Sequence, residues 1–484
     1  MTTHKDRQNS GRIATNFMQL RVALLPLLVL ALGLAVPSVA KSQDRPEPSP
    51  ATLRAELEPG ALKWIRDHLK PFASDVPSSK ELATLTEMIG EAKIVGFGEV
   101  THGDHQSQLF KSHAIRELVR QGAVSALMLE VNREAGAEVD AYINQGKGDL
   151  TKIILDSGVF SIWKTDDFAS LVGWLRGYVV RTGKPFRVFG IDCQDASVDL
   201  QFALERLRRK DRKAADRFTK ELQPLLDAEK DGSDLITWIN GQKPEAFKLY
   251  EEIVSRLIEA AKKTKDPEAI YAAKVARQCL LAYQYEFGGE AKDFSKLPAD
   301  YWSRRDVFMS ENLLELNGSL RSALWAHDMH VLGSLPDYVS QTGYQTLGML
   351  IRKAIGKGYV SVTFAWTKGS FRARLWDPSV SIVEARSRPF EAYEVSCDKP
   401  GDLGEFLARV GPERFMVDFR KADEATHKWG AIPYYRGWCG WGLNPKEWLT
   451  RPGQESSPTL PVTDILVFYK AISPSTVWQL PKKD

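Results

Sequence analysis

At 484 residues, 43% hydrophobic and 26% charged, the chain can bury a large core as one big domain or two smaller ones, and its composition is that of a globular protein. The formal charge of +3 comes from the first forty residues, which hold four basic residues against one acid; the remainder balances at 61 of each. A near-neutral body gives no ground for a nucleic-acid partner.

Lys5, Arg7, Arg12 and Arg21 precede the apolar run 22–36, which closes on Pro37-Ser38-Val39-Ala40. That order predicts a secretory signal peptide over 1–40, cut after Ala40, and an exported, periplasmic or secreted protein. The alternative is an uncleaved anchor, for which the run falls short of the roughly 20 residues that span a bilayer. No later stretch is long and apolar enough to cross a membrane, so no stable membrane insertion is expected after cleavage. A Pro-, Ser- and acid-rich linker follows at 41–51, and the folded domain occupies 52–484.

Helix-spaced apolar residues at 53–68 and 80–89 open the domain. Next come a short buried strand at Ile94-Val-Gly-Phe-Gly98, a helix at 106–121 and a second strand at 124–129, a βαβ unit that implies a parallel sheet. Helical patterns at 135–144 and 168–181 lead to a third strand at 186–191. Further strands are expected at 323–326, 359–365 and 465–469. The fold class is therefore α/β, a mostly parallel sheet flanked by helices. A long helical insertion at about 197–320 is expected to pack antiparallel helices beside the sheet.

Four cysteines, Cys193, Cys279, Cys397 and Cys439, are too few and too scattered for a disulfide scaffold or zinc cluster; if export brings a bridge, Cys397 with Cys439 is the expected pair. Cys193 beside Asp192 reads as a buried strand-end thiol before it reads as a nucleophile.

These strands place polar groups at successive C-terminal ends: Glu99 and His102 after the first, Glu130 after the second, Asp192 after the third, His327 and His330 after the fourth. In open parallel sheets ligands bind just outside those ends, so the groups can converge on one crevice. Five of the eight histidines (His102, His105, His113, His327, His330) fall in two short windows. His113 reads as a helix-face residue. A histidine held by a carboxylate is a general base for water, with Gly103 allowing a tight turn after it. No Gly-x-Ser-x-Gly elbow, His-Glu-x-x-His signature or phosphate-binding glycine loop is present. The same imidazoles and carboxylates also suit a divalent metal, and that alternative stays open.

The loop Gly98-Glu-Val-Thr-His-Gly103, the pair Leu129-Glu130, the strand Phe189-Gly-Ile-Asp-Cys-Gln194, Arg305-Asp306 with Met309 and Asn312, Trp325-Ala-His-Asp-Met-His330 and Gly369-Ser-Phe-Arg-Ala373 resemble, in order, the erythromycin esterase family, which includes succinoglycan-biosynthesis-related homologues. The resemblance implies a hydrolase opening an ester or lactone without a serine nucleophile and without a required cofactor. It implies His102 as base, Glu99 and Glu130 orienting the water or imidazole, and His327 and His330 holding the substrate carbonyl. Lys111, Asp192, Arg305 and His105 are the expected substrate-binding residues. Lys111 stands where the family has Arg, Gln106 where it often has an acid, and Asp328 where it has Asn. Asp328 is expected to raise the pKa of neighbouring imidazoles or to favour a metal. These departures weaken a macrolide as the substrate.

The stretch 429–442, with Tyr434, Tyr435, Trp438 and Trp441, predicts either an aromatic cleft mouth or a loop packed on the core. A small-molecule ester or lactone is the expected partner, and the sequence sets no oligomeric state. A non-catalytic exported binding protein with the same cleft is the remaining alternative.

Overall fold

The computed structural model describes residues 49–156, 161–194, 197–230, 244–283, 300–334, 343–377, 382–450, 457–458 and 462–478. The expected signal segment lies outside the described residues, as does most of the expected linker. The first helix, Pro50–His68, takes in the linker's last two residues.

Twelve strands are described: β1 (Lys70–Pro71), β2 (Ile94–Phe97), β3 (Ala126–Asn132), β4 (Arg187–Asp192), β5 (Ser322–Trp325), β6 (Tyr359–Leu375), β7 (Glu391–Ser396), β8 (Arg414–Asp418), β9 (Pro433–Tyr434), β10 (Gly442–Leu443), β11 (Ser457–Pro458) and β12 (Ile465–Ile472). Ten of them form one sheet in the order β1-β8-β12-β6-β2-β5-β3-β4, with β7 and β10 also paired to β6. The run from β12 to β4 is parallel. By contrast β8 runs antiparallel to β12, β1 to β8, and β7 to the far half of β6.

The expected mostly parallel sheet is thus corrected to a mixed one, with helices the larger part of the molecule. The antiparallel strands escaped sequence reading for a physical reason. β7 carries an exposed or half-exposed polar pattern, unlike β2, whose four residues are all buried. β8 is buried, but it opens and closes on charged residues, which leaves an apolar run of only three, Phe415-Met-Val417.

β5 enters the sheet between β2 and β3, and the chain then crosses back over β2 to form β6. The carboxyl ends of β2, β3, β4 and β5 are thereby gathered beside a topological switch point.

The expected insertion is helical: Ser197–Arg208, Arg212–Glu221, Gln223–Lys230, Pro244–Thr264, Pro267–Tyr283 and Arg304–Asn317. Its first five helices bury a core of their own around Leu200, Phe218, Leu257 and Cys279. Lys265, in the left-handed region at φ 56°, and Asp266, which accepts from the Ala269 amide, make the tight reversal between the insertion's helices Pro244–Thr264 and Pro267–Tyr283. The last helix does more than pack beside the sheet, because it carries Arg305 and Asp306 to the strand ends.

All four cysteines are free, buried thiols, so the expected Cys397–Cys439 bridge is absent. Burial, with the Asp192 charge beside it, pushes the Cys193 thiol well up and makes it a poor nucleophile.

Candidate active site

The loop after β2 is fixed by its main chain. Gly98 N–H donates to Val362 O, Asp328 N–H to Glu99 O, and Cys439 N–H to Val100 O, at 2.8–2.9 Å. Gly103 serves close approach: a Cβ there would stand 1.9 Å from Arg372 O, and the Arg372 and Ser475 amides both donate to Gly103 O. The turn expected there is present at His102–Gly103, and the missing Cβ also admits the close contact with β6. Asp104 then caps the helix His105–Arg120, accepting from the Ser107 amide at 2.7 Å, and that helix delivers Lys111 beneath the loop.

Glu99 is fully buried. Its Oε1 accepts from His102 Nδ1 at 2.5 Å and from the Trp163 indole at 3.0 Å, and its Oε2 is paired with Lys111 Nζ. Burial opposes the charge of Glu99, but the Lys111 ammonium and the bond to His102 outweigh it and hold the carboxyl at about 2. With Nδ1–H given to Glu99, the neutral His102 tautomer presents Nε2 as a bare acceptor, and this ring lines a cleft of about 560 Å³.

Glu130, at the end of β3, anchors the opposite side. Its Oε1 accepts from Arg305 Nη2 at 2.6 Å and faces His330 Nε2 at 3.2 Å; its Oε2 accepts the His327 amide at 2.9 Å. Arg305 forks onto Asp192 as well, through Nε at 3.0 Å and Nη2 at 2.7 Å. His330 Nδ1 meets Asp306 at 2.8 Å. Burial opposes a charge on His330, but Asp306 and Glu130 push it up to about 10, so this ring is a cation at neutral pH. Arg305 Nη1 lies 3.0 Å from His330 Nε2, a close approach of two cations that three carboxylates around them offset.

His327 differs from both. Its Nδ1 accepts from the Met329 amide at 3.2 Å and its Nε2 faces Val100 O at 3.2 Å, which selects the Nε2–H tautomer. Burial and the neighbouring His102, 4.8 Å away between ring centroids, bring it down to about 3.

His102, Glu130, Arg305, His327 and His330 therefore come together at one cleft, as the strand ends implied. Lys111, Asp192 and His105 do not line it. Lys111 is fully buried on Glu99, with its ammonium 4.1 Å from the Trp325 ring centroid. Asp192 is buried under Arg305 and accepts from the Cys193 amide at 2.7 Å. His105 is paired with Asp167 at 2.7 Å. Lys111 and Asp192 are thus turned to protein partners, and His105 is held through Nδ1 outside the cleft lining, where direct substrate contact was expected of all three. Gln106 is likewise committed to Asp75 and Ser473.

Asp328 does not raise the adjacent imidazoles as expected; the charges that govern His330 are Asp306 and Glu130. The Trp- and Gly-rich stretch divides: Trp438, Gly440 and Trp441 line the cleft, whereas Trp429 and Tyr434 are core residues and Tyr435 packs edge-on against Trp448.

Sequence reading assigned no role to Trp163, Asp306, Tyr283, Arg374 or Phe390. Asp306 had a signal, being the acid next to Arg305 at the start of a helix. Trp163 had none, because it meets Glu99 across 64 residues of chain.

The donor set does not suit a metal. Glu130 and Asp192 converge on the Arg305 guanidinium, and both His330 nitrogens face carboxylates. Among the described residues no group of three or more His, Cys, Asp or Glu side chains is arranged to hold an ion.

The erythromycin esterase family model matches residues 119–450. The chain belongs to the erythromycin esterase family. Glu130, Asp192, Arg305, His327 and His330 lie inside the matched residues, and the loop carrying Glu99 and His102 precedes them. Erythromycin esterase type I of Escherichia coli is 29% identical over 114 residues, a match that takes in 23% of this chain and 27% of that protein. Three solved structures share the fold. A Bacillus cereus protein has a TM-score of 0.72 at 23% identity, covering 87% of this chain and 99% of its own. A succinoglycan biosynthesis protein has a TM-score of 0.71 at 17% identity, with the same coverage. A mutant erythromycin esterase in its open conformation has a TM-score of 0.61 at 16% identity, covering 84% of this chain and 97% of its own.

Proposed function

We propose that this protein is an exported hydrolase that cleaves a carboxylic ester or lactone with a water activated by His102. The observation that carries this reading is the His102–Glu99–Lys111 chain: a buried carboxylate, fixed as an anion, takes the Nδ1–H of a ring that lines the cleft. In the forward step water oxygen attacks the carbonyl carbon while its proton passes to His102 Nε2, and Glu99 stabilises the imidazolium that forms. The negative charge on the former carbonyl oxygen is met by the fixed cations His330 and Arg305. On collapse the ester C–O bond breaks and His102 returns the proton to the leaving alkoxide. Glu130 holds His330, Arg305 and the His327 main chain in register; His327, with both nitrogens committed to backbone, packs beside the base as a neutral ring. Export rests on the sequence of residues 1–40. Among the described residues no helix is long and apolar enough to cross a membrane.

The decisive experiment is turnover of simple esters, acylated sugars and macrolide lactones by the purified protein and by His102→Ala. We expect hydrolysis of at least one class, with kcat/KM falling by about 10³-fold in the variant while its circular dichroism is unchanged. Binding without turnover on any of these substrates would replace the enzyme with a binding protein of the same fold.

A further inference from the structure

Asp328 stands between His327 and His330, yet the chemistry above does not use it. Its carboxyl is fully buried. Oδ2 accepts from the Trp438 indole Nε1–H at 3.3 Å and lies 3.5 Å from the Phe364 amide nitrogen. Oδ1 has no hydrogen-bond partner among the described residues and rests against Gly98, where a Cβ would stand only 1.9 Å from it. Meanwhile the Asp328 main-chain N–H donates to Glu99 O at 2.9 Å. One residue thus ties the floor of the cleft through its backbone and a wall of the cleft through its side chain.

Trp438 is that wall: it lines the cleft with His102 and His330. The Arg436 guanidinium sits 5.1 Å from its ring centroid and is itself buried, donating to Thr463 and Thr363. An indole held at its N–H and stacked on a buried guanidinium is a rigid platform, and a rigid platform discriminates by shape.

We propose that Asp328 is the positioning residue of this wall: it holds Trp438 beside the His102 site and thereby favours ester substrates that present a ring to the indole. The selection rests on the ester-hydrolysis reading, whereas the hold on Trp438 does not.

The charge on Asp328 tunes that hold. Burial drives its carboxyl up to about 7, against Arg436, the Trp438 N–H and, from the helix His105–Arg120, Lys111, all of which favour the carboxylate. From β6 it faces the Tyr359 phenol, itself pushed up by burial. A carboxylate is a stronger acceptor than a neutral carboxyl, so the indole is gripped more firmly as pH rises through neutrality.

The test uses the full protein with 15N-labelled tryptophan, the Trp438 indole signal being identified by its loss in Trp438→Phe. In the wild type that signal is expected to shift between about pH 6 and 8, the range set by the raised Asp328 carboxyl. In Asp328→Asn, which keeps an acceptor of the same shape, the signal should persist without the shift. In Asp328→Ala its solvent exchange should quicken by about fivefold or more, the loss of one hydrogen bond. An exchange rate unchanged in Asp328→Ala, or the same pH shift in Asp328→Asn, overturns the proposed hold.

The activity arm compares an aryl or sugar ester with a short alkyl ester. Asp328→Ala should raise KM about fivefold for the ring-bearing ester and leave its kcat and the alkyl ester within about twofold. Equal losses on both overturn the selection. If the wild type hydrolyses neither, the hydrolytic reading fails and the selection with it, while the indole signal still decides the hold.

Discussion

The two sides of the cleft use the same residue types to opposite ends. On the β2 side His102 has one carboxylate, on Nδ1, and the cation behind it is Lys111, which neutralises that carboxylate. On the β3 side His330 has a carboxylate at each nitrogen, Asp306 and Glu130, and is pushed up to about 10. The number of carboxylates per imidazole therefore separates a ring open to accept a proton from one that is a standing positive charge. His327, satisfied by backbone at both nitrogens and brought down to about 3, is the neutral third case. His327 and His330, within one cleft, are thus pushed to opposite sides of the ordinary imidazole value by their neighbours alone.

The largest effect should come from breaking the β2 side. Glu99→Gln leaves Lys111 as a buried, unpaired cation, and we expect a loss of about 3–5 kcal/mol in urea unfolding together with a fall of about 10²–10⁴ in kcat. The double variant Glu99→Gln, Lys111→Met should regain most of the stability and none of the activity. Recovery of activity would mean that Glu99 only houses the lysine.

Breaking the β3 side should cost less in rate. His330→Gln keeps a hydrogen-bonding side chain but loses the charge, so kcat/KM is expected to fall by about 10–10²-fold. A loss as large as that of His102→Ala would erase the distinction between the two rings.

A pH scan sharpens the same contrast. A folded-state pKa of about 10 lies above the value of about 6.5 for a free histidine. The imidazolium's contribution is then full below about pH 6.5 and is lost as pH rises to about 10. The wild-type Tm should decline over that window, and His330→Gln should flatten the decline; an unchanged slope in the variant would remove His330 from its cause.

The smallest effect is expected at Asp328. Its carboxyl is raised to about 7, so the folded state keeps a proton that the unfolded chain releases, and stability falls as pH rises from about 4 to 7. Asp328→Asn should accordingly raise Tm at pH 8 and change it little at pH 4.

How much of this was legible before folding differs by residue. Glu99 and His102 are three apart, so a strand-end loop brings them together without help from the rest of the chain. Glu130, Asp192, His327 and His330 were placed correctly because parallel strands put their carboxyl ends on one edge, a rule that needs only the strand assignments. Lys111 and His105, expected at the substrate, lie off the cleft lining, and Asp192, though on the right edge, is turned to Arg305, because charge marks a residue as polar but not where its atoms point. Lys111 is a fully buried lysine, an arrangement that Glu99 and the face of Trp325 help make tolerable. Trp163, Arg374 and Phe390 could not be found, since they meet the site only through long-range packing.

The sequence by itself determined the alternation of strands and helices, the helical insertion and the Glu99–His102 pair, because these depend on local periodicity and on residues near in the chain. Tertiary structure decided the antiparallel strands, the splitting of the aromatic stretch into core and cleft wall, and above all the protonation states. A histidine's charge is set by which carboxylates, cations and backbone groups reach it in space, and for His330 those arrive from Asp306 and Glu130, 24 and 200 residues away in the sequence.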